Sequence, residues 1–153
     1  MKLSRTVGYA LQATIQLAEA ESGAPIPCSR LASEGGMPER FLLQILRNLV
    51  TGGILRSTRG VEGGYTLHRR PESISLLELI EAVDGPLSAQ PPMTEGLPPE
   101  SLQRLTAALQ EVTDSARRQL AGHKLSSLLS NHRKFVGSEP SRRKAENLAV
   151  KLK

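Results

Sequence analysis

Met37-Pro38-Glu39-Arg40-Phe41-Leu42-Leu43-Gln44-Ile45-Leu46-Arg47-Asn48-Leu49, and the run on to Leu67, decide how this chain is read. Pro38 suits a first helical turn, where its missing N–H has no partner to lose. Phe41, Ile45 and Leu49 recur every four residues, and Leu42 and Leu46 widen that stripe into a core-facing side. Arg40, Leu43, Gln44 and Arg47 fall at i, i+3, i+4 and i+7 on another side. Such a row matches the edges of a DNA major groove. Arg bonds guanine, Gln bonds adenine, and Leu touches a thymine methyl. Taken alone, the row reads equally well as a solvated helix face.

The sequence beyond this helix favours the DNA reading. Thr51-Gly52-Gly53 stops the helix. Ile54 to Thr58 and Tyr65 to His68 have the composition of two short strands, joined through Arg59-Gly60-Val61-Glu62-Gly63-Gly64. Glycines allow a tight turn and a close backbone approach. An arginine at the tip of such a ribbon can enter a minor groove or pair with phosphates. Upstream, Ile26-Pro27 leads into a short helix, Cys28 to Glu34, and Gly35-Gly36 turns the chain into the longer helix. Short helix, turn, longer helix and β-ribbon in that order predict a winged helix-turn-helix: a mainly α fold with a small β-wing. The Gly60–Gly64 turn does not read as a nucleotide-binding loop, because it lacks a Lys-Ser/Thr pair and no helix opens behind it.

Ser4 is placed to cap a first helix running to about Ala20, with Val7, Ala10, Leu11, Thr14, Leu17 and Ala18 inward. Ser4 and Arg5 together can hold a phosphate at that helix N-terminus, or simply be an ordinary cap and an exposed cation. Glu39, opening the second motif helix, belongs to the same candidate contact set. Cys28 admits two readings: a thiol activated at a helix N-terminus, hence a sensor, or a small buried apolar residue, which is the commoner case. Downstream, Ser75-Leu76-Leu77-Glu78 forms a capping-box pattern that starts a helix through about Val83, and Asp84-Gly85-Pro86 ends it.

Proline-rich Leu87 to Pro99 divides the chain. Residues 1–87 form the winged helix-turn-helix unit, 88–99 a loop, 100–131 a long helix with a short terminal one, and 132–153 a basic tail, with a transient helix over Lys144 to Lys153. In the long helix, about Glu100 to Ala121, the side chains Leu102, Leu105, Leu109, Val112 and Ala116 step by three and four, a coiled-coil-like seam. A second copy of the same helix is the simplest partner, and folding back on its own domain is the other. Leu125, Leu128 and Leu129 predict the short last helix.

Composition sets the bounds. The 153 residues are 39% hydrophobic and 3% aromatic, with a net charge of +5. Residues 1–87 carry nine basic and nine acidic side chains, and the surplus lies wholly in 132–153. A DNA-binding role for the first unit therefore depends on where Arg5, Arg40, Arg47, Arg56 and Arg59 point. A tail this basic can add non-specific attraction to phosphate. No apolar run has the length of a membrane span, and the N-terminus lacks the core of a signal peptide, so a cytoplasmic location is expected. One cysteine excludes an intramolecular disulfide. His68, His123 and His132 lack metal-ligand spacing, and no metal site is expected. No catalytic constellation is present, so an enzyme is not expected.

The residues quoted above resemble the IscR/NsrR-type winged-helix transcriptional regulators, the Rrf-two family. The likeness rests on Met1 to Arg5 with Tyr9-Ala10-Leu11, Arg40 to Leu46, Arg59-Gly60 with Gly63-Gly64-Tyr65-Thr66-Leu67, and Glu81 to Pro86. It is close over about residues 1–87 and looser beyond. The resemblance implies a dimer through the long helix, a palindromic operator, and DNA contacts from residues 40, 43, 44 and 59; Gly60, Gly63 and Gly64 are candidate contacts from the wing turn itself. Many members hold an iron–sulfur cluster on three cysteines in the loop corresponding to Leu87–Pro99. That loop has no Cys or His here, so no cofactor is expected. Many members also carry Glu where this chain has Leu43, so their operator preference does not transfer. The expected partners are double-stranded DNA, a second copy of the chain, and a small effector or partner protein at the 87–99 loop. The rival expectation is a winged-helix protein-interaction module that does not bind DNA.

Overall fold

The computed structural model describes residues 2–20, 23–89 and 96–130. The basic tail and the Lys144–Lys153 helix lie outside the described residues, as does the centre of the 87–99 loop. Five α-helices and one β-hairpin follow in order: α1 Arg5–Glu19, α2 Cys28–Gly35, α3 Glu39–Thr51, β1 Leu55–Thr58, β2 Gly64–Leu67, α4 Leu76–Asp84 and α5 Pro99–Gly122. Short 3-10 turns at Pro71–Ser73 and Leu125–Leu128 flank α4 and follow α5. This is the expected mainly helical fold with a two-stranded wing.

Each helix buries the stripe its spacing dictates. In α1 these are Val7, Ala10, Ala13, Thr14 and Leu17. Ala13 takes an inner position, whereas Leu11 and Ala18, expected there, are half-buried at the margins. The buried Thr14 hydroxyl is satisfied by the carbonyls of Ala10 and Leu11, each at 2.9 Å. In α3 the buried set is Leu42, Ile45, Leu46 and Leu49. Phe41, expected with them, is instead 44% exposed. It lies on the shoulder of the stripe and meets Tyr9 of α1 edge to face, ring centroids 5.9 Å apart. Met37, expected to open α3, is buried in the turn before it, and Pro38 supplies the cap position.

The turn between α2 and α3 is fixed from both sides. Gly36 N–H bonds back to the carbonyls of Ala32 and Ser33, and Met37 N–H to Ala32 at 2.9 Å. From α1, Gln12 Nε2 donates to Gly35 O at 2.7 Å. The wing strands pair antiparallel with Leu55 opposite Leu67 and Thr58 opposite Gly64. Ile26, ahead of α2, exchanges both backbone bonds with Tyr65 at 3.0 and 2.9 Å, so the wing is anchored to the α1–α2 loop.

The capping box forms as its residues predict, Ser75 and Glu78 bonding reciprocally at the start of α4. After α5 the chain returns to the first unit. Leu76 N–H bonds His123 O and Leu125 N–H bonds Ile74 O, both at 2.9 Å, while Ser130 N–H reaches Glu19 Oε1 at 3.0 Å. Leu125 is fully buried in the winged-helix core. The short last helix expected over Leu125, Leu128 and Leu129 is a single 3-10 turn, Leu125–Leu128, in which Leu128 is 42% exposed.

Candidate nucleic-acid interface

Helix α3 turns its polar row outward because its four buried residues fix the helix rotation. Glu39, Arg40, Gln44 and Arg47 are exposed, and Leu43 is half-buried among them. Glu39 stands in the first turn, where the helix dipole favours an acid. Arg47 is within electrostatic reach of Tyr65 on β2. Burial and the Cys28 sulfur raise the Tyr65 phenol, and the Arg47 charge partly offsets them. Arg56 on β1 and Arg59 in the wing turn are exposed as well.

Among the described residues the ion pairs are Arg30–Glu34, Arg69–Glu78 and Arg117–Glu81. Arg40, Arg47, Arg56 and Arg59 take part in none of them. The cations that the fold consumes are thus different from those on α3 and the wing, which remain available to an anion. Helix α3 and the wing carry these four arginines, none in an ion pair among the described residues, against the acids Glu39 and Glu62, so the two elements are net positive even though residues 1–87 are neutral in sum.

The wing turn holds its shape through its glycines. A Cβ on Gly63 would lie 2.5 Å from Thr58 O, and one on Gly64 would lie 2.4 Å from the Ile26 carbonyl. Both glycines are therefore required by contacts within the chain, whatever the wing touches outside it. A Cβ on Gly60, at φ 116°, would meet nothing within 4 Å, so that side of the turn is open to solvent even though its carbonyl accepts Gly63 N–H at 3.0 Å.

Ser4 and Arg5 part company. The Ser4 hydroxyl accepts Val7 N–H at 3.1 Å as the α1 cap and donates to Asp84 Oδ1 at 2.8 Å. That side chain is occupied by the fold, while Arg5 is exposed beside it. Cys28 opens α2, half-buried, its sulfur 3.8 Å from Glu39 O. Burial and the Glu39 carboxylate push its thiol above the usual range, the reverse of what an activated thiolate needs.

The dimerisation candidates lie along α5, none of whose residues is buried. Leu105 is 40% and Val112 68% exposed, and Leu102, Leu109 and Ala116 are half-covered. The C-terminal part of α5 is held to α4 by Arg117 and Glu81. Glu81 also accepts Leu87 N–H at 3.0 Å, fixing the exit from α4. Where that exit faces α5, an open cleft of about 470 Å³ is lined by Pro86, Leu87, Ser88, Ala89, Thr106 and Gln110.

Sequence reasoning missed several residues that shape this surface. Asn48 accepts a 3.1 Å bond from Gln44 Nε2, and its signal was the i, i+4 spacing of two amides. The Ser4–Asp84 and Glu81–Arg117 pairs join positions far apart in sequence, and no local pattern announces them.

The profile of the Rrf2 family, described as an iron-dependent transcriptional regulator, matches residues 3–131. The chain belongs to this family. Among its relatives, a protein of Mycobacterium tuberculosis named as an HTH-type transcriptional regulator is 43% identical over 89 residues, 58% of this chain and 55% of that protein. The chain thus spans about half the length of that relative. CymR of Bacillus subtilis is 31% identical over 117 residues, covering 75% of this chain and 85% of CymR. The solved structure of B. subtilis CymR, titled as the global cysteine regulator, superposes with a TM-score of 0.66 at 25% identity over 85% of this chain and 97% of that one. Oxidised CymR of Staphylococcus aureus gives 0.66 at 28% identity over 88% and 100%.

The family description mentions iron, and the donor set of this Rrf2 chain does not fit an iron–sulfur cluster. Its single thiol, Cys28, stands in the helix-turn-helix, and its pKa is raised rather than lowered. Among the described residues no three His, Cys, Asp or Glu side chains group as ligands. Among the same residues, no helix is long and apolar enough to cross a membrane.

Proposed function

We propose that this Rrf2 chain is a cytoplasmic, cluster-free repressor that binds a palindromic operator as a homodimer. The observation that carries the reading is the exposed row Arg40, Gln44 and Arg47 together with the wing arginine Arg59, none of these cations being in an ion pair among the described residues. Arg40 and Arg47 reach guanine edges or phosphates, Gln44 pairs with adenine, and half-buried Leu43 packs on a thymine methyl. Arg59 and the open backbone at Gly60 enter the adjacent minor groove, while Gly63 and Gly64 hold the turn that presents them. Glu39 accepts from a cytosine amino group at the edge of the row. Arg5 holds a phosphate from the start of α1, and Ser4 keeps that helix end in place.

Two copies join through Leu102, Leu105, Leu109, Val112 and Ala116 and present their rows to successive turns of one duplex, which gives the operator its two-fold symmetry. Repression follows from occupancy of the site. The cleft at Pro86–Ala89 and α5 is the place for a small effector or partner. It abuts both the Glu81 contacts and the dimer helix, so a ligand there acts on the spacing of the two rows.

The test is titration of the full chain against duplex DNA at several salt concentrations. Affinity should fall steeply as salt rises, and Arg59→Ala should lower both affinity and salt slope. Gln44→Ala should relax base preference at one position per half-site. Affinity unchanged in both variants would refute the reading. The neutral sum over residues 1–87 supports the rival, a winged-helix module that binds protein alone, and a flat salt response with no duplex binding would favour it.

A further inference from the structure

We infer that Asn48 is a specificity-determining positioning residue, which holds the Gln44 amide in the orientation that reads a base. The inference rests on the DNA-binding reading above and adds a residue that neither touches the duplex nor belongs to the exposed row. Gln44 is exposed on α3, and its Nε2 donates to Asn48 Oδ1 at 3.1 Å. Asn48 stands one turn further along, half-buried, and its own carbonyl receives Gly52 N–H at 2.8 Å where α3 ends. Asn48 as a residue is half-covered, while the amide–amide bond and the group that it holds lie in solvent.

This arrangement has a chemical consequence. A glutamine amide carries two Nε2 hydrogens and an acceptor oxygen. Adenine recognition uses one N–H to N7 and the oxygen to the 6-amino group. Asn48 takes the other hydrogen, so the bond costs Gln44 none of its reading capacity. With Asn48 Oδ1 as the acceptor, the bond sets which side of the amide carries the nitrogen. The reverse pairing, Asn48 Nδ2 to Gln44 Oε1, would turn the amide over, and Asn48→Asp removes that alternative. A free glutamine can turn its amide over and present oxygen and nitrogen in the opposite order, which discriminates less between purines. It also loses more rotamer freedom when it binds. Arg40 and Arg47 read through charge and guanidinium geometry and need no such support. Gln44 is the member of the row whose readout depends on which way its end group faces.

The experiment uses the full chain and a library of duplexes randomised across the binding site, sequenced after selection. Wild type and Gln44→Ala together identify the base pair that depends on Gln44. Asn48→Ala should lower adenine preference at that same base pair by about tenfold, and leave preferences at the Arg40 and Arg47 positions in place. Asn48→Asp keeps an acceptor for Gln44 Nε2 and adds a negative charge near phosphate. It should bind all sequences more weakly and retain the adenine preference. A thermal melt of Asn48→Ala within a few degrees of wild type excludes loss of the fold as the cause.

The proposal is overturned if Asn48→Ala preserves the Gln44-dependent preference, or if Asn48→Asp loses it along with Asn48→Ala. It is overturned too if Gln44→Ala changes no position, which would leave DNA binding standing without a glutamine reader. A wild-type chain that enriches no sequence removes the operator-binding reading itself and this inference with it.

Discussion

The Ser4 hydroxyl donates a 2.8 Å hydrogen bond to Asp84 Oδ1, joining the cap of α1 to the last residue of α4. The same oxygen accepts Val7 N–H, so one hydroxyl closes a helix end and ties two helices together. Ser4→Ala removes both bonds and should cost about 1 kcal/mol, the usual value of a lost cap. Arg5→Ala should leave stability unchanged and weaken duplex binding at low salt. Denaturant titration and DNA titration of the two variants check the division of labour. Equal loss of DNA affinity with no loss of stability in Ser4→Ala would assign the hydroxyl to phosphate instead.

Leu125 gives a second prediction. It is fully buried among residues of the first unit although it follows the long helix. Leu125→Ala should destabilise the chain by about 2–5 kcal/mol, the range for truncating a buried leucine. Leu128→Ala, at an exposed position, should cost far less. Urea melts of both variants provide the comparison. Similar, small losses would mean that the return segment contributes little to the core.

These two cases show where the sequence was legible. The winged helix was readable because its signals are local: the stripe Leu42, Ile45, Leu46 and Leu49, the glycines of the wing turn, and the Ser75–Glu78 box each act within a few residues. Burial of Leu125 depends on a return of the chain to Ile74, and the Ser4–Asp84 bond spans most of the first unit. Periodicity carries no information on such contacts. The outward row was legible for the same reason as the inward stripe, since one helix rotation fixes both. What periodicity left unresolved was the shoulder: Phe41 fits the four-residue repeat yet sits beside Tyr9 at the surface. Electrostatic availability was also hidden, because net charge does not reveal which arginines the fold already pairs.

Acid stability should report on Glu78. Partial burial raises its carboxyl, but bonds from Ser75 N–H at 2.9 Å and Ser75 Oγ at 2.7 Å, with Arg69 at 2.8 Å, outweigh that and hold it at about 2 against an ordinary 4.5. A folded-state pKa below the unfolded one means that the unfolded chain binds the proton first. The stabilisation is therefore complete above the ordinary carboxylate value and is lost as pH falls from about 4.5 toward about 2. Glu78→Gln should be less stable at neutral pH and show a flatter dependence through that window. Parallel slopes for variant and wild type would place the acid-sensitive group elsewhere.

The last prediction concerns assembly. Val112 is 68% exposed and Leu105 40%, on a helix without a single buried residue. A helix of 24 residues with an apolar seam gains little from one chain alone, and on the dimer reading proposed above a second copy would cover that seam. In a two-fold dimer each substitution is made on both helices, so Val112→Asp would set two carboxylates into the apolar strip between them. Their burial and mutual repulsion both oppose association. The variant should sediment as a monomer where the wild type sediments as a dimer. Each monomer then holds one half-site, and losing the link to the second should lower affinity for a palindromic duplex by roughly 10²-fold or more. Gln103→Asp, on the opposite side of α5, should leave both mass and affinity near wild type. A wild-type chain that is already monomeric at micromolar concentration, or a Val112→Asp variant that remains dimeric, would mean that the seam is not the joint between copies.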